Sequence, residues 1–411
     1  MPSARTKATP ACSERSIIVE NFFFGIPTRV FFGVDAIQYL GFAIRKEDAK
    51  RVLFAYGGGS IQKNGVYDHV VKGLDAAGLQ FVEFPGIRAN SPLDDVHRGI
   101  DLCREHHVDL VLAVGGGSVI DACKAIAAGV PYTGDIRDLL AAGATKIESA
   151  LPLGTVLTIA GTGSELDSGA VITVGEDHKK VSVVHPLLYP RFSILDPTYT
   201  YSVPEHASMA GSFDTLSHLM ESYFLPDATT EVQDRMNEGV MKAILRNAPR
   251  VKANPRDYNA RANIMWASSM ALAGFQFSLG KTTIDFPVHS LGHELSSLYG
   301  MTHGDTLALL TPAWMQFVLR QVPESVLSFA TFARNVFGVK HNDDSVAASR
   351  GIAHLEAFIA AIGLPHCLKE AGVEKDRLAY LADKATEFGP LGGLCSIDRM
   401  QALEILEAAW E

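Results

Sequence analysis

Up to about residue 200, short apolar runs alternate with stretches of helical period. Runs of four to eight residues, rich in β-branched and aromatic side chains and closed by turn residues, predict strands. Arg51–Tyr56, Phe81–Phe84, Val108–Val114 and Leu151–Ile159 read this way. Three of them run into glycine-rich turns: Gly57-Gly58-Gly59-Ser60, Gly115-Gly116-Gly117-Ser118 and Ala160-Gly161-Thr162-Gly163-Ser164. Helix-like segments such as Val119–Ala128 follow the turns. This alternation predicts a mainly parallel, Rossmann-like sheet with helices on both faces. Gly169–Val174 and Val181–Val184 read as an inserted hairpin, and Phe192–Leu195 as a strand ending at Asp196-Pro197. Beyond Pro204 the pattern changes. Helical periods cover Glu205–Phe224, Glu231–Ala248, Tyr258–Phe277, Pro287–Tyr299, Asp305–Leu319, Pro323–Val336 and Ser345–Ile362. The expected architecture is a leader over residues 1–15, an α/β domain over 16–200 and an all-helical domain over 201–411.

Composition narrows the class. The 411 residues are 47% hydrophobic and 20% charged, enough apolar material for two cores. A formal net charge of -10 argues against nucleic acid or an anionic membrane surface as partner. No run reaches the roughly 18–20 consecutive apolar residues of a membrane span. The first 20 residues lack the apolar core of a secretory signal. Arg5, Lys7 and Arg15 are basic, but Glu14 and the short length speak against an organelle-targeting leader. Cys12, Cys103, Cys123, Cys367 and Cys395 are scattered and form no CxxC pair, which suits reduced thiols in a cytoplasm.

The first candidate chemistry lies in the helical half. Pro204 followed by Glu205 is a helix start signal, and Asp214 and His218 inside that helix share one face. His289 and His293 share a face of the segment that Tyr299-Gly300 closes, and Thr302 can cap a new helix that begins with His303. Three of the 14 histidines therefore crowd into residues 289–303. One carboxylate and up to four imidazoles suit Fe(II), Zn(II), Co(II) or Mn(II). A single Asp/His pair at this spacing is commonly only a surface hydrogen bond, and an HxxxH without the zincin glutamate is equally weak. It is the combination that points to a metal.

The second lies in the turns. Gly115-Gly116-Gly117-Ser118, between an apolar strand and a helix, offers free amides and a helix N-terminus to a diphosphate. It is not GxGxxG, so the usual dinucleotide fingerprint does not apply. The plainer alternative is a tight turn packed against its neighbours. Gly161-Thr162-Gly163-Ser164-Glu165 adds hydroxyls for a nucleotide. After Gly57-Gly58-Gly59-Ser60 no carboxylate stands where one would bind ribose hydroxyls, and Lys63 follows, which favours NADP(H) over NAD(H).

Together these elements resemble the iron-containing (group III) alcohol dehydrogenases. The resemblance runs from about Asn21 to Trp410. It is carried by Asn21-Phe22-Phe23-Phe24, by Pro27 to Gly33, by the GGGSxxD loop ending at Asp121, by residues 162–164, by the stretch from Lys179 to Pro197, and by DxxxH, HxxxH and His303. It implies Asp214, His218, His289 and His303 as ligands to Fe(II) or Zn(II), and His293 as the non-ligand histidine beside nicotinamide and substrate. It implies Asp121, Thr158, Thr162 and Lys180 along the cofactor. It implies a cleft between two domains, hydride exchange with a primary alcohol or aldehyde, a homodimer and a cytoplasmic setting. The Tyr56–Val66 stretch resembles the butanol dehydrogenase and broad-range aldehyde reductase branch, where NADPH is common. Val119-Ile120 departs from the Pro-hydroxyl pair frequent in this loop. Hydroxy-acid and polyol dehydrogenases of the same superfamily are the nearer rivals. Dehydroquinate synthase, a lyase of the same architecture, would need basic residues that the helix face near Asp214 lacks. Phe275, Phe277 and Phe286 are the expected shapers of the substrate pocket.

Overall fold

The computed structural model describes residues 21–22, 24–141, 145–175, 179–224, 230–273 and 286–411. The leader expected over residues 1–15 lies outside them, as do Cys12, Phe275 and Phe277. The described residues form eight strands: β1 (Arg29–Phe32), β2 (Arg51–Tyr56), β3 (Gln80–Phe84), β4 (Leu110–Gly115), β5 (Leu153–Leu157), β6 (Gly169–Val174), β7 (Lys179–Val184) and β8 (Phe192–Leu195). Six of them form a fully parallel sheet in the order β1-β8-β5-β4-β2-β3. β6 and β7 pair antiparallel as a separate hairpin.

The central strands are apolar without alternation because both faces are covered. On β2, Val52, Phe54 and Tyr56 pack with Val70 and Leu74 of the helix Val66–Ala76. Leu53 and Ala55 pack on the other face with Val96 and Ile100 of Leu93–Glu105 and with Ile120 and Cys123 of Gly117–Gly129. The chain leaves β2 toward one face and leaves β4 toward the other. The carboxyl ends of these neighbouring strands therefore part, and in open α/β sheets that opening is where ligands bind. Gly57–Ser60 and Gly115–Ser118 flank it.

From Glu205 on, the described residues are almost entirely helical, around a core that includes Phe213, Phe224, Phe317, Phe329 and Phe332. The Phe224 and Phe329 rings stack at 4.2 Å. The sequence pattern stops the second of these helices at Ala248, before a proline. The structure carries it to Ala253 with Pro249 inside, because Met241, Ile244, Ala248 and Val251 are all buried in one core and hold both sides of the proline in place. The segment expected over Pro323–Val336 divides into a 3-10 turn at Pro323–Ser325 and a helix Val326–Phe337. The helix from Tyr258 ends at Leu272. Asp344–Ile362 is long and apolar enough to cross a membrane by length and mean hydropathy. It nevertheless carries Asp344, Arg350 and Glu356, and its buried face, Ala348, Ile352, Leu355 and Ile359, belongs to the helical core.

Candidate metal centre and cofactor crevice

Three helices bring the candidate ligands together. Asp214 and His218 sit one turn apart on Glu205–Tyr223, His289 lies in the first turn of Pro287–Tyr299, and His303 opens His303–Gln321. Thr302 is the residue before that last helix, but its hydroxyl makes no capping bond there. Gly304 is what lets the helix start so close: a Cβ on it would lie 2.1 Å from the Ala210 carbonyl oxygen. Any side chain at 304 would push His303 away from Asp214.

The geometry converges on one atom. Asp214 Oδ1 lies 3.6 Å from His218 Nε2, 3.7 Å from His289 Nε2 and 3.7 Å from His303 Nε2. These separations are too long for hydrogen bonds. They approach the ~3.4 Å edge of a tetrahedron of ligands bound at about 2.1 Å. Asp214, His289 and His303 offer ligand atoms that all lie within 4.8 Å of one another, and His218 stacks on His289 at 4.6 Å between ring centroids. Asp214 and His289 are buried, yet Asp214 Oδ1 and His289 Nε2 have no hydrogen-bond partner among the described residues. A buried polar atom without a partner is costly, and a cation between them would satisfy both. The donor set thus fits a divalent ion of the iron or zinc type.

Electrostatics favours the ligand forms at most of the cluster. Burial pushes the Asp214 carboxyl up, but the charges of His218, His289 and His303 outweigh it and hold it below the usual range. Burial pushes His218 down to about 4 and His303 down to about 3. His289 goes the other way: burial lowers it, but the Glu221 charge and the Asp214 contact raise it to about 9. Glu221 is a residue that the sequence reading missed. It stands seven positions after Asp214, two turns along the same face, and its carboxylate holds His289 Nδ1. That spacing was the available signal.

His293 lies beside the cluster, 5.2 Å from the His303 ring and 6.5 Å from the His289 ring by centroids, and is half-buried. Burial, then the neighbouring His303 and Lys180, hold its imidazole well below the usual range. Lys180, on β7, lies within the fields of Asp214, Asp121 and Glu294, and burial lowers its amine. It thus feels the charge of Asp214 in the imidazole cluster and of Asp121 in the crevice. Phe286 packs edge-on to both His218 and His289, at 6.2 and 5.1 Å.

The crevice itself is built by backbone. Gly115 ends β4, and Gly116 and Gly117 start the helix that runs to Gly129. A Cβ on Gly117 would lie 2.5 Å from Thr162, so the loop after β5 can touch the loop after β4 only through glycine. The first amides of that helix have no partners within it. The side chains are already occupied. Ser118 Oγ accepts from the Asn90 amide at 3.1 Å. Asp121 accepts from Ser164 Oγ at 2.6 Å and from the Val171 amide at 2.9 Å. Burial raises the Asp121 carboxyl to about 6 against the opposing charge of Lys124. Lys124, fully buried, donates to Ser164 Oγ, Asp167 Oδ1 and the Gly169 carbonyl. Thr158 follows β5, its amide bonded to the Gly115 carbonyl, and Thr162 Oγ1 accepts from the Ser164 amide. Asp121 thus reads as a brace of the crevice, with both oxygens turned to protein.

The two halves are joined at this point. Thr215, next to Asp214, donates to the Gly161 carbonyl at 3.1 Å, and the Gly161 amide donates to Ser268 Oγ at 2.8 Å. Gly57–Ser60 lies across the opening. Gly59 takes φ +92°, a left-handed conformation that starts the short turn Ser60–Lys63. Lys63 is exposed. On neighbouring β3, Glu83 is a carboxylate that the sequence pattern did not bring to this corner. Both its oxygens accept from tyrosine, Tyr56 at 2.7 Å and Tyr67 at 2.8 Å.

Comparison with known proteins places the whole arrangement. Residues 27–197 match the family described as iron-containing alcohol dehydrogenase, and residues 208–410 match the C-terminal region of the same family. The chain is 40% identical over 391 residues to NADH-dependent butanol dehydrogenase B of Clostridium acetobutylicum, covering 94% of this chain and 99% of that one. It is 36% identical over 374 residues to the NADPH-dependent aldehyde reductase YqhD of Escherichia coli, covering 90% and 94%. The crystal structure of NADH-dependent butanol dehydrogenase A from Thermotoga maritima superposes with a TM-score of 0.90 at 36% identity, over 96% of this chain and all of that one. With a parallel nucleotide-type sheet, a helical half and the ordered Asp/His motifs in one molecule, this chain belongs to the iron-containing alcohol dehydrogenase family.

Proposed function

We propose that the chain transfers hydride reversibly between NADP(H) and a primary alcohol/aldehyde pair, at an Fe(II) or Zn(II) ion held by Asp214, His218, His289 and His303. The observation that carries this reading is the convergence of three imidazole Nε2 atoms on the unpartnered Asp214 Oδ1. When bound, the metal supplies a Lewis acid for the substrate oxygen and the nicotinamide gives or takes the hydride.

The chain's own groups do the rest. The helix N-terminus at Gly116-Gly117-Ser118 presents amides to the diphosphate, with Gly115 at the strand end and Thr158 and Thr162 alongside. Asp121 keeps the Ser164 loop and the hairpin in register for that contact. Lys180 places a cation between cofactor and substrate oxygen. His293, kept neutral by its surroundings and part-exposed, exchanges the substrate proton with solvent. Phe286 narrows the pocket beside His218. Gly57, Gly58, Gly59 and Ser60 leave room for the adenosine ribose. Relatives of both cofactor preferences exist. For this chain, the exposed Lys63 and the engagement of Glu83 by two tyrosines support NADP(H).

Two wider features complete the reading. The sheet ends at β1, where Phe32, Val34 and Trp266 are exposed, and Phe32 packs edge-on to Trp266 at 5.8 Å. An edge strand unpaired among the described residues, with exposed aromatic rings, supports a homodimer through that edge. Cys103, Cys123, Cys367 and Cys395 are free thiols, three of them buried, which supports a reducing, cytoplasmic setting.

The test is oxidation of NADPH and of NADH with butanal by the chain loaded with Fe(II) or Zn(II). Butanal-dependent turnover with the higher kcat/KM for NADPH is expected. No turnover with any aldehyde, despite bound metal and cofactor, overturns the reading. A higher kcat/KM for NADH overturns the cofactor preference alone.

A further inference from the structure

We infer that Glu221 is a positioning residue of the metal centre, fixing His289 in the one tautomer and orientation that turn an unprotonated Nε2 inward. This rests on the reading of Asp214, His218, His289 and His303 as ligands.

Glu221 is buried at 3% exposure, on the Asp214 helix. Its two oxygens take two different tasks on one neighbouring residue pair. Oε1 accepts the backbone N–H of Val288 at 2.6 Å, and the His289 amide lies 3.4 Å away. Oε2 holds the His289 ring through Nδ1. The helix Pro287–Tyr299 starts at Phe286 without a side-chain cap of its own. The first amides of a helix lack partners inside it, so Glu221 caps this helix from another one. The same carboxylate therefore fixes the start of the helix and the ring that projects from its first turn.

The tautomer follows from hydrogen-bond roles. An ionised carboxylate only accepts, so a neutral ring must carry its one proton on Nδ1. Nε2 then keeps its lone pair, and Nε2 is the atom that lies 3.7 Å from Asp214 Oδ1 with no partner. A carboxylate behind a ligand histidine orients the ring and raises its basicity. His289 has this support and its neighbours do not: Nδ1 of His218 and of His303 are without partners among the described residues.

A glutamine at 221 separates positioning from packing. Its amide has one acceptor and one donor end. The Val288 N–H can only donate, so the oxygen stays there and the NH2 group faces Nδ1. Nδ1 must then accept, the proton moves to Nε2, and Nε2 can no longer ligate. Size and helix cap are retained.

The experiment titrates the metal-free wild-type chain and Glu221→Gln with cobalt(II), read by visible absorption. It also reads the His289 tautomer from nitrogen chemical shifts in histidine-labelled protein, at a pH where the ring is neutral, assigned with His289→Asn. Thermal melting of both metal-free chains is recorded alongside. The expected result is a similar melt, cobalt binding weaker by about 10–100-fold, and a switch from Nδ1–H to Nε2–H. Wild-type cobalt affinity and spectrum in Glu221→Gln, or Nε2–H in the wild type, overturns the inference. If the wild type takes up no cobalt, the ligand reading fails, while the tautomer comparison still decides the role of Glu221. Should Glu221→Gln not fold, Glu221→Asp decides: it is expected to keep Nδ1–H and bind cobalt more weakly, and unchanged affinity overturns the inference.

Discussion

Asp214, His218, His289 and His303 come from three separate helices, and two of the atoms they turn inward, Asp214 Oδ1 and His289 Nε2, are without partners among the described residues. Gly115 to Ser118 is contiguous, and the side chains around it are spent on the protein itself: Ser118 on Asn90, Asp121 on Ser164 and Val171, Lys124 on three acceptors. The first region offers side chains with unused capacity. The second offers backbone, and the close approach that glycine allows. The two sites should therefore fail differently. One is sensitive to the loss of a side-chain atom, the other to the gain of one.

The largest effect should come from Asp214→Asn. It keeps the shape but removes the charge at the atom where three imidazoles meet. Loss of bound metal by elemental analysis, and a fall in kcat/KM of ~10³-fold or more, is expected from losing a Lewis acid that contributes several kcal/mol. Full metal content in this variant would break the comparison at its first term. Gly117→Ala should come next. Its Cβ meets Thr162 at 2.5 Å, and overpacking of this kind costs about 1–3 kcal/mol. The KM for NADP(H) should rise about tenfold or more while metal content stays at the wild-type level.

Glu165, in the loop that joins the two regions, tests the seam. It is fully buried, and burial raises its carboxyl from 4.5 to about 7 against the hydrogen bond from Ser269. Between those two values the unfolded chain is ionised and the folded chain is not, so folded stability falls as pH rises through that window. Glu165→Gln removes this dependence. In urea unfolding of the metal-free chains it should gain on the wild type from pH 4.5 to 7, reaching on the order of 1–3 kcal/mol. A difference that stays flat with pH would place the charge of Glu165 elsewhere. The smallest effect belongs to Ser118→Ala. Loss of its bond to Asn90 should lower stability by ~1 kcal/mol, with the KM for NADP(H) changed less than about threefold. A large rise in KM would show that this hydroxyl serves the ligand, and would erase the contrast between the two regions.

Much of this was legible along the chain. The strands β2, β4, β5 and β8 stood out because buried parallel strands are apolar on both faces, and the seven helical segments because their period reached a common core. Asp214 and His218 could be paired because one helix turn is a local distance. Pro249 misled the reading, since a proline disfavours helix locally and only the core around Met241 and Val251 overrides it. Glu83 beside the Gly57 loop was invisible, because strand pairing brings it there from 27 residues beyond Tyr56.

By itself, the sequence determined an α/β half followed by a helical half, the glycine turns between strand and helix, and a shortlist of one aspartate and four histidines. These depend on local period and spacing, which the chain carries at every point. Tertiary structure decided which imidazole nitrogens face one oxygen, that His293 stands apart from them, that Gly304 must be bare against Ala210 to let His303 approach Asp214, and that Glu221 stands behind His289. Those are contacts between helices far apart in the chain, set by how side chains pack and by which buried polar atoms find partners.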